Sequence, residues 1–100
     1  MTNLNKFQGV ETTTFMQGDE LVGVYRGTPV ASKLGNRVTL NTGGWKSRTT
    51  KVRMNQFSRH YCGGVFSVYQ KDYEWFVSIN GKDLPFDGRT IDFVTYEVQA

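Results

Sequence analysis

Two side chains able to do nucleophilic or metal chemistry stand close together, His60 and Cys62, the single histidine and the single cysteine of the chain. On a helix, residues two apart point about 200° from one another, so they do not form a thiol–imidazole pair. Zinc needs three or four ligands, and neither residue has others of its kind to complete a set. Asp83 and Asp87 are a second possibility, as a general acid–base pair. Both lie in turn contexts, beside Asn80-Gly81 and Gly88, where aspartate commonly bonds the local backbone. A third is Gly43-Gly44-Trp45-Lys46-Ser47, a glycine-rich turn into a helix start. It lacks the Walker spacing. Two readings remain: an anion seat built from free backbone N–H groups beside Lys46 and Arg48, or glycines that simply turn the chain. The simpler reading is the turn. No catalytic residue, metal or cofactor is therefore expected, and the chain is read as a non-enzyme.

Charge gives the stronger signal. The chain has 12 Lys and Arg against 9 Asp and Glu, a net +3. Yet no acidic residue occurs between Glu20 and Asp72, an interval that holds Arg26, Lys33, Arg37, Lys46, Arg48, Lys51, Arg53, Arg59 and Lys71. Such asymmetry bears on partners rather than on fold. Lysine and arginine neutralise phosphates, and interleaved aromatic rings stack on unpaired bases. The residues expected to carry nucleic-acid binding are Arg37, Trp45, Lys46, Arg48, Lys51 and Arg59. Trp45 either closes the core beneath the Gly-Gly turn or stands exposed for stacking. The competing reading is a protein–protein interaction module that docks on an acidic host protein, through the same surface or a sheet edge near Leu84-Pro85-Phe86.

Elements must position these residues, and 100 residues fit one domain. Residues 1–19 read as a polar N-terminal arm, in which Thr12-Thr13-Thr14-Phe15 is equally well an edge strand. Residues 20–100 read as a single α+β domain. Leu21–Tyr25, Val30–Leu34 and Arg37–Asn41 are strand-like, the last placing Val38 and Leu40 on one face and Arg37, Thr39 and Asn41 on the other. Thr49–Tyr61 is the one helix, with Thr50, Met54, Phe57 and Tyr61 on an apolar stripe. The opposite side carries Arg48, Lys51, Asn55 and Arg59. Ser47 or Thr49 caps its start, and Gly63-Gly64 stops it. Val65–Gln70, Glu74–Ile79 and Thr90–Val98 follow as strands, with Leu84-Pro85-Phe86 an edge piece. Asn80-Gly81 is the clearest hairpin turn. The order β-β-β-α-β-β-β predicts a twisted antiparallel sheet or partly closed barrel with one helix packed on it.

Leu40-Asn41-Thr42-Gly43-Gly44-Trp45, then Thr49-Thr50-Lys51 and Arg53-Met54-Asn55-Gln56, resembles small uncharacterised proteins of tailed bacteriophages. Val68-Tyr69-Gln70, Glu74-Trp75-Phe76-Val77 and Pro85-Phe86-Asp87-Gly88 fit the same pattern. The resemblance covers about residues 20–95 and implies a virus-encoded accessory protein without assigned activity. It places the protein in the cytoplasm of a bacterial host cell. One unpaired cysteine, and no apolar run long enough for a signal peptide or a membrane span, agree with that compartment.

Overall fold

The computed structural model describes residues 12–44 and 46–95. Eight strands and one helix follow one another: β1 (Thr12–Gln17), β2 (Glu20–Tyr25), β3 (Thr28–Leu34), β4 (Arg37–Asn41), α1 (Arg48–Tyr61), β5 (Phe66–Lys71), β6 (Glu74–Ile79), β7 (Lys82–Pro85) and β8 (Thr90–Val94). The class is α+β and the pairing antiparallel. The strands divide into a five-stranded sheet, ordered β1-β2-β3-β4-β8, and a three-stranded sheet, ordered β5-β6-β7.

Two-residue turns set the hairpin registers. Arg26-Gly27, Asp72-Tyr73 and Asn80-Gly81 each place both central residues at positive φ, as a type I′ turn requires. Tyr25 then faces Thr28, Lys71 faces Glu74, and Ile79 faces Lys82. Thr12–Gln17, the part of the polar arm that allowed a strand, pairs along β2 and forms an edge. The expected alternation holds in β4 and β6: Val38, Leu40, Trp75, Val77 and Ile79 are buried, with less buried neighbours between them. In β3 the register shifts opposite Gly23/Val24, which adds Val30 as an extra residue. Val30 and Ala31 are consequently both buried, the local effect of a bulge.

The helix is built as its sequence dictates. Ser47 is the N-cap, its Oγ accepting from the Thr50 N–H at 3.2 Å. Cys62 closes the far end, and Gly63 and Gly64 continue at φ 65° and 72°. Met54 and Phe57 are fully buried and Tyr61 half-buried, so the predicted stripe does face the core. Burial of each of the first two contributes about 1.5–3 kcal/mol. The helix lies against β5 on one side and β3 and β2 on the other. One core thus joins both sheets and the helix.

The expected antiparallel strands with one helix packed on them do form, divided into two sheets and not closed into a barrel, and the helix shows why. Asn55 Nδ2 donates to the Val68 carbonyl at 3.0 Å, and Asn55 Oδ1 accepts from the Val68 N–H at 2.7 Å. Ser58 Oγ donates to the Phe66 carbonyl at 2.6 Å and accepts from the Phe66 N–H at 3.3 Å. These side chains take the hydrogen bonds that another strand would make along the free edge of β5. The three-stranded sheet ends there, and on its other side it ends at β7, whose Pro85 suits an edge.

Candidate nucleic-acid interface

Steps of three and four residues along α1 bring Arg48, Lys51, Asn55 and Arg59 onto one stripe. Asn55 belongs to the packing rather than to the outer face. It is half-buried and its amide is spent on β5. That bond fixes the roll of the helix and holds the stripe beside the β5–β6 hairpin. Arg48 and Arg59 are exposed. Lys51 is half-buried: its Nζ lies 5.5 Å from the Trp75 ring centroid and donates to Gln70 Oε1 at 3.3 Å. Among the described residues none of the three has a carboxylate within ion-pairing distance. The whole helix contains no Asp or Glu.

Lys46 and Arg37 stand elsewhere. Lys46 is exposed but donates to the Phe86 carbonyl at 3.1 Å. Arg37 alternates with the buried Val38 and Leu40, so it leaves β4 on the sheet face turned away from the helix. There it pairs with Asp92 of β8, Nε donating to Oδ2 at 3.1 Å. Three of the expected contacts, Arg48, Lys51 and Arg59, are brought together. Arg37 is not among them. Trp45 lies outside the described residues.

Two backbone N–H groups of the anion seat sketched for residues 43–47 are taken up by internal partners. Gly43 donates to Asn41 Oδ1 at 2.9 Å and Gly44 to Thr42 Oγ1 at 3.1 Å. A Cβ on Gly43, whose φ is 67°, would come within 2.7 Å of Thr28 Cγ2. Glycine is required there by backbone geometry and a close approach. A cleft of about 360 Å³ opens nearby, lined by Tyr25, Arg26, Thr28, Val30, Thr42, Ser47 and Thr50. His60 stacks on Tyr61 at 4.1 Å between ring centroids and is exposed, whereas Cys62 is buried. Phe86, read as part of a docking edge, is 1% exposed and belongs to the core.

Two features escaped the sequence reading. Arg53 lies on the other flank of the helix, its guanidinium 5.5 Å from the Tyr25 ring centroid. Tyr73 ends the β5–β6 hairpin with 95% of its surface exposed and borders an open depression shared with Lys51, Gln70 and Asp72. The signal for Tyr73 was present: a two-residue turn without glycine leaves an aromatic ring in the position that glycine favours.

With this geometry in hand, comparison with protein families is decisive on origin. A family model described as Kyanoviridae Gp96 protein matches residues 1–97. The chain belongs to that family. It is a small phage protein. No curated protein and no solved structure matches this member of the Kyanoviridae Gp96 family. Among its described residues no helix is long and apolar enough to cross a membrane.

Proposed function

We propose that this phage protein binds nucleic acid, without catalysis, through the cationic stripe of α1. The observation that carries the reading is that Arg48, Lys51 and Arg59 have no ion-pair partner among the described residues. They share one side of a helix that has no acidic residue, while Arg37 on the far sheet face is neutralised by Asp92. Cations with no ion-pair partner among the described residues, on a well-packed element, favour a polyanion, because phosphate contact releases condensed counterions. An open depression bordered by Lys51, Gln70, Asp72 and Tyr73 lies beside the stripe.

Salt titration of binding to short oligonucleotides tests this. Three phosphate contacts predict a log–log slope of about −2.7 on duplex and about −2.1 on single strands. Replacing Lys51 and Arg59 with alanine reduces the slope's magnitude by about 1.8 on duplex, with sequence preference unchanged, because phosphate contacts position rather than specify. Arg37→Ala leaves the slope where it was. Absence of binding at low salt refutes the reading. The rival, docking on an acidic host protein, uses the same cations. It gains support if a host protein captured from lysate stays bound after nuclease treatment.

A further inference from the structure

Among the described residues, three hairpins turn through two residues that are both at positive φ. In two of them the second residue is glycine: Gly27 at φ 77° and Gly81 at φ 76°. In the third it is Tyr73, at φ 69° and preceded by Asp72 at φ 52°. An aromatic residue is strained in that left-handed conformation, and glycine removes the strain. The fold gains little in return. The ring is 95% exposed, so it contributes almost nothing to the core. A strained, outward aromatic that packing does not explain is a pointer to function.

Its surroundings indicate what kind. The ring borders the same open depression as Lys51, Gln70 and Asp72. Lys51 does not wave freely: it rests over the Trp75 ring and bonds Gln70, which fixes its ammonium next to the hairpin tip. A flat apolar ring, a positioned ammonium, an amide and a carboxylate converge within one shallow site. The ring offers a face for stacking, and the ammonium meets a phosphate. The Asp72 carboxylate repels phosphate but accepts from base N–H groups, which an unpaired thymine also offers, so a base and not the backbone faces the turn. Bases inside a duplex are already stacked and present no free face. Unpaired bases do.

We infer that Tyr73 is a base-stacking residue and that the nucleic acid taken by this site is single-stranded. This deepens the function proposed above and rests on it. The experiment uses the full chain, a short fluorescent oligothymidylate and a duplex of the same length, read by anisotropy at low salt, with Tyr73→Gly, Tyr73→Trp and the Lys51→Ala/Arg59→Ala pair. Tyr73→Gly should bind the single strand about fivefold to a hundredfold more weakly, the range for loss of one stacked base. Its duplex binding should not change, and its melting temperature should be equal to or above that of the parent, since the strain is gone. Tyr73→Trp should bind the single strand at least as well as the parent. The Lys51/Arg59 variant should lose affinity for both probes.

The two ideas fail separately. A parent protein that binds neither probe overturns the nucleic-acid reading, and this inference with it. A parent that binds, with Tyr73→Gly unaltered on the single strand or equally weakened on both probes, overturns only the stacking role. A Tyr73→Trp variant as weak as Tyr73→Gly also overturns it, because a larger ring should stack at least as strongly.

Discussion

At the level of single residues, Cys62 shows how position sets chemistry. It ends α1, its backbone N–H donating to the Ser58 carbonyl at 2.9 Å, and its side chain enters the core. Burial pushes the thiol above its ordinary value of 9.0, and the nearby Lys33 ammonium offsets part of that rise. The native state therefore holds the thiol proton more tightly than the unfolded chain does. The contribution is fully present below the ordinary value and is lost as pH climbs through the raised one. Urea unfolding across the alkaline range should show a loss of stability in the parent that is smaller in Cys62→Ala. Parallel profiles for the two proteins would remove the thiol from the account. The same burial slows alkylation, because the thiolate is the reactive form. Neither the depth of Cys62 nor the position of Tyr73 follows from residue type alone. What was legible at this scale was local: Ser47 or Thr49 as a cap, of which Ser47 is the one used, Gly63-Gly64 as a stop, and Asn80-Gly81 as a turn, each written in a few adjacent residues.

Among elements, the contact between α1 and β5 is the one that distinguishes this fold. A helix usually meets a sheet with its apolar face. Here Met54 and Phe57 do so, while Asn55 and Ser58 also occupy the strand's edge. Asn55→Ala leaves the Val68 N–H and carbonyl without partners, which costs about 1–3 kcal/mol for each group left buried and unsatisfied. Native-state hydrogen exchange would report this at the Val68 amide. It should lose protection beyond the global loss of stability, while the Tyr69 amide, on the β6 side, should follow the global change only. Equal changes at both amides would contradict a specific edge contact. The helix itself was readable from its 3.6-residue stripe, to within one residue of its observed start at Arg48. The role of Asn55 was not readable. A polar residue on the side opposite an apolar stripe looks solvated until the neighbouring strand edge is known. The same gap explains Arg37: alternation gave its sheet face correctly, but nothing in the chain said that α1 lies on the other one.

The whole molecule is a five-stranded sheet interrupted by an inserted unit. β4 and β8 are neighbours, yet Arg37 and Asp92, which bridge them, are 55 residues apart in sequence. Everything between, α1 and the three-stranded sheet, leaves and returns at one place, where the Thr42 N–H donates to the Arg89 carbonyl at 2.8 Å. β8 also reaches across the core, the Phe93 ring meeting that of Phe66 at 5.2 Å edge to face. No turn sequence marks such a pairing, because it has no turn. That is why the division into two sheets is not legible hairpin by hairpin.

Order in time follows from that arrangement. The β1–β4 meander and the helix with β5–β7 contain contacts close in sequence, and each can begin to form by closing short loops. Joining β4 to β8 must close a long one, with a greater entropic cost before any bond rewards it. The last strand should therefore dock after the rate-limiting step. Phe93→Leu should speed unfolding and leave the refolding rate nearly unchanged, the kinetic sign of a contact made late. A stopped-flow chevron in which refolding slows in proportion to the lost stability would instead put β8 in the nucleus. Late docking has a further cost: until β8 arrives, β4 presents an open edge, so the partly folded chain is most prone to pair with another chain while its first four strands are complete and its last is not.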